Sequence, residues 1–291
     1  MNKNFFKQLR ILDGGMGQEL LARGLVPKGT LWSAKALLEQ SDCSLVENVH
    51  EDFVKAGAEV IVTNTFTTRR VRLKENNLED QFDILNRKAG EIAKKVKNKF
   101  PSIMIAGGLP PQNTTYSSDE RDKNEILDNF KDQAKILNQY VDFFYFDVLS
   151  SIREISIAVN SIKEFNKPFL IGAHISEGTS LPSGERLSDI TEKIECDNLL
   201  GIILACVSPE NYMKNIKEIK SIGFPFGFKI NAFETTKMSE GYTKNYKKSK
   251  TGNPNEFLGK RKDLTPEVLK NLAKKFIDDG ATIIGGCCET N

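Results

Sequence analysis

The chain has 291 residues, of which 39% are apolar, and its 41 basic and 39 acidic side chains give a net charge of +2. This length and composition predict a single domain over residues 1–291 with a large buried core. The near-balanced charge excludes a strong long-range attraction to nucleic acid or to an anionic membrane, so small molecules are the expected partners. No apolar run approaches the ~18 residues that span a bilayer, and no secretory signal follows Met1. We therefore expect a cytoplasmic protein, and leave open whether it forms a homo-oligomer.

Eight short runs rich in β-branched and aromatic residues recur along the chain, with amphipathic segments between them. The runs cover residues 10–13, 59–64, 103–107, 143–147, 169–172, 201–206, 226–230 and 282–285. Regular alternation of strands and helices requires parallel strands joined by crossover helices. Eight such units in a chain of this size predict an α/β fold, a (β/α)8 TIM-type barrel.

Capping residues predict where several helices begin and end. Ser208 precedes a helix expected over residues 209–222, and Thr265 precedes the last helix, which Gly280 ends. Asp42 is expected to cap an earlier helix with apolar residues at helical spacing. Those residues are expected in the core: Leu45, Val46, Val49, Phe53 and Val54.

The carboxyl ends of the predicted strands carry small or polar residues, and this is the end of a barrel where active sites lie. The residues there are Asp13-Gly14-Gly15, Thr63-Asn64-Thr65, Gly107-Gly108, Asp147, His174, Cys206, Asn231 and Gly285-Gly286-Cys287-Cys288. They predict one polar site at one mouth of the barrel.

Three of the five cysteines end apolar runs and are predicted to bind a metal. Cys206, Cys287 and Cys288 would supply three corners of a zinc tetrahedron and leave the fourth free for substrate. The alternative is that one or more of them is a small buried apolar residue. Cys43 and Cys196 have no partner in the pattern and are not expected to take part.

Asp13 and Asp147 face the same mouth in this prediction. A carboxylate there can act as a general base, bind a metal, pair with a substrate ammonium, or only cap a helix. His50 falls within a predicted helix and is expected to have a surface or core role. His174, near the mouth, is either a lining residue or a structural hydrogen-bonding group. Neither histidine has the spacing of a zinc-binding pair.

Several motifs resemble the zinc-dependent homocysteine S-methyltransferase family, which includes betaine and S-methylmethionine users. The matching segments are Leu12-Asp13-Gly14-Gly15-Met16-Gly17 with Glu19-Leu20, Leu31-Trp32-Ser33-Ala34, His50-Glu51-Asp52, Ala56-Gly57-Ala58, Thr63-Asn64-Thr65-Phe66 and Gly285-Gly286-Cys287-Cys288. The resemblance runs over nearly the whole chain. It implies a homocysteine-binding barrel, methyl transfer to homocysteine, and a zinc cofactor bound by the three cysteines named above.

The same resemblance implies roles for residues of the substrate pocket. Asp13 and Asp147 would hold the amino group of homocysteine. Gly14, Thr65 and Asn231 would line the pocket. Family members usually have glutamate within a Cys-Glu-Thr stretch at the fourth strand, so Asp147 is one methylene shorter than the expected residue.

Two further departures concern the third strand and the end of the chain. The loop after the third strand reads Gly107-Gly108-Leu109-Pro110-Pro111, where Gly-Ser-Val-Gly-Pro is commoner, which predicts a reshaped donor pocket. The chain ends three residues after Cys288, where relatives continue into a closing helix. The predicted barrel therefore lacks that last helix, and either the sequence is truncated or another subunit covers the wall.

The predicted function is zinc-dependent transfer of a methyl group from a sulfonium or quaternary ammonium donor, preferably S-methylmethionine-like, to homocysteine, which gives methionine. Phe66, Tyr116 and Phe233 are aromatic candidates for contact with a cationic donor. The polar segment 242–253 is expected either to fold over the site or to extend into solvent. Two alternatives stay open: a non-catalytic homocysteine-binding barrel, and a metal-assisted lyase or hydrolase on the same fold.

Overall fold

Eight parallel strands form the barrel that the sequence predicts. The computed structural model describes residues 3–236 and 256–290. The strands are β1 Arg10–Ile11, β2 Val60–Val62, β3 Met104–Leu109, β4 Phe143–Leu149, β5 Phe169–Ala173, β6 Leu199–Val207, β7 Phe226–Ile230 and β8 Ile283–Gly286. Their order is β1-β8-β7-β6-β5-β4-β3-β2, and a parallel bridge between Leu12 and Val60 joins the two ends. All eight predicted strands are thereby confirmed.

Helices connect the strands on the outside of the barrel. In the described ranges they are α1 Met16–Ala22, α2 Gln40–Lys55, α3 Arg70–Lys74, α4 Phe82–Lys99, α5 Lys123–Leu137, α6 Ile152–Ser161, α7 Asp189–Lys193, α8 Pro209–Ser221 and α9 Pro266–Asp278. None of these helices combines the length and apolar character needed to span a bilayer.

Two of the predicted helix starts are confirmed and one is wrong. The Ser208 hydroxyl accepts a hydrogen bond from Asn211 N at the start of α8, and the Thr265 hydroxyl caps α9 in the same way. Asp42 is not a cap: α2 begins at Gln40, and the Asp42 carboxylate instead pairs with Lys35. The apolar residues predicted for α2 are buried or half-buried in the core, as expected.

The barrel interior is filled at its amino-terminal end and open at the other. The Phe6 ring lies 5.7 Å from the Phe143 ring, inside a buried cluster that also contains Tyr145 and Ile203. This cluster closes the bottom of the barrel. The carboxyl ends of the strands surround the opposite opening, which we call the mouth, and active sites of such barrels lie at this end.

Two strands are irregular where they reach the mouth. The register between β6 and β7 shifts at Ala205/Val207, and Cys206, the residue between them, has a φ of +55°. The register between β4 and β5 shifts near Val148, which has a φ of +63°. Bulges of this kind redirect a side chain. Cys206 and Val148 both line the pocket in the mouth as a result.

Candidate metal centre and substrate pocket

A pocket in the mouth collects side chains from most of the strand ends. Its wall includes Asp13 and Gly14 after β1, Asp147 near the end of β4, and Cys206 near the end of β6. Cys287 and Cys288, which follow β8, complete this side of the wall. The structure thus brings together residues that are more than 270 positions apart in the sequence.

The three predicted metal-binding cysteines lie next to one another. Their Sγ atoms are all within 4.8 Å of each other, and the Sγ atoms of Cys287 and Cys288 are 3.9 Å apart. Glycine is required nearby, because a Cβ on Gly15 would lie 2.5 Å from the Cys287 carbonyl oxygen. Cys43 and Cys196 are not part of this group, as the sequence analysis expected.

The electrostatics of the three thiols favour a bound cation. Burial alone raises the pKa of Cys206, but hydrogen bonds from the two neighbouring thiols and from the Tyr116 hydroxyl, 3.1 Å away, lower it overall. The pKa values of Cys287 and Cys288 are raised, because their protons are held by hydrogen bonds to Cys206. Three negatively charged sulfurs this close would repel one another, so binding by all three as thiolates requires a positive ion between them.

The spacing of the sulfurs matches a tetrahedral thiolate site. Zinc–sulfur bonds of ~2.3 Å at tetrahedral angles place sulfurs ~3.8 Å apart. The 3.9 Å separation of Cys287 and Cys288 agrees with this value, and the Sγ of Cys206 lies within 4.8 Å of both. Within the described ranges this is the one group of cysteine, histidine and carboxylate side chains able to hold a metal ion.

Asp13 forms a buried ion pair in the same pocket. Its Oδ2 accepts a hydrogen bond of 2.7 Å from Val62 N, and its Oδ1 lies 3.1 Å from the Lys229 ammonium. The side chains of Asp13 and Lys229 are only 2% and 7% exposed. Burial lowers the pKa of Lys229, but the carboxylates of Asp13 and Asp147 outweigh this and raise it, so Lys229 is charged.

Asp147 is a second buried carboxylate of the pocket. The Tyr145 hydroxyl donates a hydrogen bond of 2.6 Å to its Oδ1. Burial raises the pKa of Asp147 to about 6, although Lys229 and the bond from Tyr145 partly offset the increase. Asp147 is therefore largely ionised at neutral pH and becomes protonated in mildly acidic solution.

Both histidines are buried and have pKa values of about 4, because burial disfavours the imidazolium. The His174 Nδ1 lies 3.1 Å from the Ala205 carbonyl oxygen, and its Nε2 lies 2.8 Å from the Ser176 hydroxyl. His174 therefore has the structural role, and the alternative of a pocket-lining residue is wrong. His50 is buried in α2, in agreement with a packing role.

Thr65 and Asn231, which were expected to line the pocket, lie behind its wall and are not part of the lining. The Thr65 hydroxyl donates a 2.6 Å hydrogen bond to Gly108 O, and the Asn231 amide donates a 2.7 Å bond to Cys206 O. These bonds hold β3 and the bulge that carries Cys206 in place, and the Asn231 amide also lies 3.7 Å from the Cys206 Sγ. Phe233 also lies outside the wall, and the segment 242–253 lies outside the described residues.

The pocket wall also contains aromatic and charged residues to which the sequence analysis gave no role. Trp32 contacts Phe66 edge to face, with ring centroids 6.2 Å apart. Arg69, Arg72 and Lys229 bring three positive charges to the same wall. The sequence contains one feature that could have predicted the position of Lys229. This lysine is the single charged residue of the otherwise apolar strand β7, at a position where side-chain alternation points into the barrel.

Comparison with known proteins identifies the family. The sequence model of a family described as homocysteine S-methyltransferase matches residues 10–291. The chain belongs to this family. The predicted family, and the predicted class of enzyme, a methyltransferase, are therefore confirmed.

Curated relatives match almost the full chain. A homocysteine S-methyltransferase of Saccharomyces cerevisiae is 26% identical over 97% of this chain and 90% of its own length. An S-methylmethionine–homocysteine S-methyltransferase of Pongo abelii is 27% identical over 95% of this chain and 73% of its own. A selenocysteine methyltransferase of Astragalus bisulcatus is 23% identical over 96% and 88%. The relatives therefore differ in their named substrates.

A solved structure agrees with the fold. The metallated form of the homocysteine methyltransferase MmuM of Escherichia coli superimposes with a TM-score of 0.77, at 20% identity, over 100% of this chain and 96% of that one. This similarity confirms the TIM-type barrel.

Proposed function

We propose that this protein, acting as a single domain over residues 1–291, transfers a methyl group from a cationic donor to the thiol of homocysteine, with zinc bound by Cys206, Cys287 and Cys288. The observation that carries the proposal is the meeting of three thiols within 4.8 Å at the mouth of a barrel of this family. Three thiolates are typical zinc ligands, and three protein ligands leave a position for substrate.

The cofactor addresses the weak nucleophilicity of a free thiol. An alkyl thiol with a pKa near ~8.5 is mostly protonated at neutral pH. Zinc, when bound, would hold the substrate sulfur as a thiolate. Tyr116 assists by donating to Cys206, and Asn231 assists by fixing the backbone of the same residue.

The transfer itself requires no general base from the protein. A lone pair of the acceptor sulfur forms the new carbon–sulfur bond while the bond from the methyl carbon to the donor sulfur or nitrogen breaks. The donor leaves as a neutral thioether or tertiary amine, and methionine is formed. The thiol proton of homocysteine would pass to solvent when its sulfur binds as a thiolate, so the transfer step itself moves no proton. Both histidines are buried and His174 is engaged in hydrogen bonds, in agreement with a transfer step that needs no protein base.

The remaining task of the pocket is to align the two substrates. In this proposal Asp13, Gly14 and Asp147 contact the amino-acid end of homocysteine, and Thr65 with Asn231 keeps the surrounding backbone in place. Alignment of two bound reactants can contribute several kcal/mol to catalysis. The faces of Trp32 and Phe66 are suited to a sulfonium or quaternary ammonium group, with an S-methylmethionine-like donor preferred.

Metal removal and a matched pair of variants test the proposal. Zinc-loaded protein should form methionine from homocysteine and S-methylmethionine, and chelation should abolish this activity. Cys287→Ala should lose both metal and activity, whereas Cys43→Ala, a buried cysteine outside the site, should keep both. Full activity in metal-free protein would rule the proposal out.

A further inference from the structure

Lys229 is a charged residue inside the pocket to which the proposed chemistry gives no role. It belongs to β7, where alternation places Gly227 and Lys229 inside the barrel and Phe228 and Ile230 in the outer core. Only 5% of the residue is exposed, and it lines the same wall as the cysteines. Burying an ammonium is costly unless it is paired. Keeping a fixed positive charge inside the pocket therefore lowers the folding stability of the protein unless the charge is fully paired.

The ammonium of Lys229 is only partly satisfied by the protein. It has three N–H donors. Among the described residues, one of them reaches Asp13 Oδ1 at 3.1 Å, and the ammonium also lies 5.7 Å from the Tyr145 ring centroid. The donors that remain belong to a group on the pocket wall and are available to an anionic ligand.

Lys229 also changes what Asp13 can bind. The two carboxylates of the pocket wall, Asp13 and Asp147, are the groups that would receive the ammonium of an amino-acid substrate. Both oxygens of Asp13 are already engaged, one by Val62 N and one by Lys229. A second ammonium beside Asp13 would lie next to the first, and two like charges so close repel each other in a buried site.

We propose that Lys229 determines acceptor specificity by binding the carboxylate of the acceptor thiol, so that this enzyme accepts carboxylate-bearing thiols with or without an α-ammonium. The proposal rests on the proposed methyl transfer and names the acceptor class of the same site. Homocysteine belongs to this class, and so does 4-mercaptobutanoate, which is homocysteine without its amino group. By contrast, 3-aminopropane-1-thiol, which is homocysteine without its carboxylate, falls outside it.

The test compares the two analogues with zinc-loaded wild-type protein and one fixed donor. The readout is the ratio of kcat/KM for 4-mercaptobutanoate to kcat/KM for 3-aminopropane-1-thiol, with the methyl thioethers quantified by mass spectrometry. 3-Aminopropane-1-thiol has no carboxylate and therefore cannot form the charge-assisted hydrogen bond with Lys229. The wild-type ratio should for this reason be about 10 to 150. A ratio below one would overturn the proposal.

Variants assign the selectivity to the side chain. Lys229→Met should lower the ratio at least about tenfold, whereas Lys229→Arg, which keeps the charge, should leave it above one. If Lys229→Met fails to fold because Asp13 is left unpaired, the double variant Asp13→Asn/Lys229→Met removes both charges and should show the same low ratio. A ratio equal to that of the wild type in whichever of these variants folds would overturn the proposal.

Calorimetric titration separates this proposal from the proposed function. If the wild-type enzyme methylates no thiol with any donor, the proposed function fails. The binding order of the two analogues then decides the role of Lys229: tighter binding of 4-mercaptobutanoate supports it, and tighter binding of 3-aminopropane-1-thiol overturns it.

Discussion

Replacing Asp13 by asparagine tests the buried ion pair that organises the pocket. Asparagine keeps the shape of the side chain and can still accept the hydrogen bond from Val62 N, but it leaves Lys229 without its carboxylate. Removing one partner of a buried pair typically costs about 3–5 kcal/mol, because a charge stays buried without compensation. A domain has only about 5–15 kcal/mol of total stability, so the loss should be large.

The measurement is the free energy of unfolding from urea denaturation, with the slope compared between variants. The double variant Asp13→Asn/Lys229→Met should recover most of the loss, because no unpaired charge remains. Asp132→Asn is the matched control: it breaks the half-exposed pair with Arg70, and should change stability by less than about 1 kcal/mol. The reasoning is refuted if Asp13→Asn costs no more than the control, or if the double variant is as unstable as the sum of its single changes.

Three further predictions concern Glu154, Tyr116 and Phe66. Burial raises the pKa of Glu154 to about 8. Between pH 4.5 and 8 the folded state therefore keeps a proton that the unfolded state loses, and the free energy of unfolding falls as the pH rises. Glu154→Gln should remove a decline on the order of 4 kcal/mol, and a parallel decline in the variant and the wild type would contradict this. Tyr116→Phe removes the donor to Cys206 and should weaken zinc affinity about 10- to 100-fold in a chelator competition, whereas unchanged affinity would count against the contact. Phe66→Leu removes an aromatic face and should raise KM for the donor several-fold without changing KM for the acceptor; equal changes in both would exclude a donor-specific role.

The barrel and the thiol group could be predicted because their signals are local. Each strand is a short apolar run between helical segments, and for β7 the predicted bounds, residues 226–230, equal the observed ones. The cysteines follow such runs, and parallel strands bring their carboxyl ends to one mouth. That topology makes Cys206 and Cys287 neighbours although 81 positions separate them in the sequence.

The contacts of the polar side chains could not be predicted, because they depend on which neighbour each group meets. Asp42 is of a residue type that often caps helices, but its carboxylate forms an ion pair with Lys35 instead. Thr65 follows a strand at the mouth, yet its hydroxyl turns to Gly108 O. Lys229 pairs with Asp13 across 216 positions, and no spacing rule connects the two. Strand periodicity gives the direction of such a side chain but not its partner.

X-ray absorption at the zinc edge tests the central claim most directly. On zinc-loaded protein the account predicts three sulfur ligands from Cys206, Cys287 and Cys288 at ~2.3 Å, and a fourth sulfur at the same distance when homocysteine is added. A spectrum dominated by nitrogen or oxygen ligands, or a sulfur count that homocysteine leaves unchanged, would contradict it.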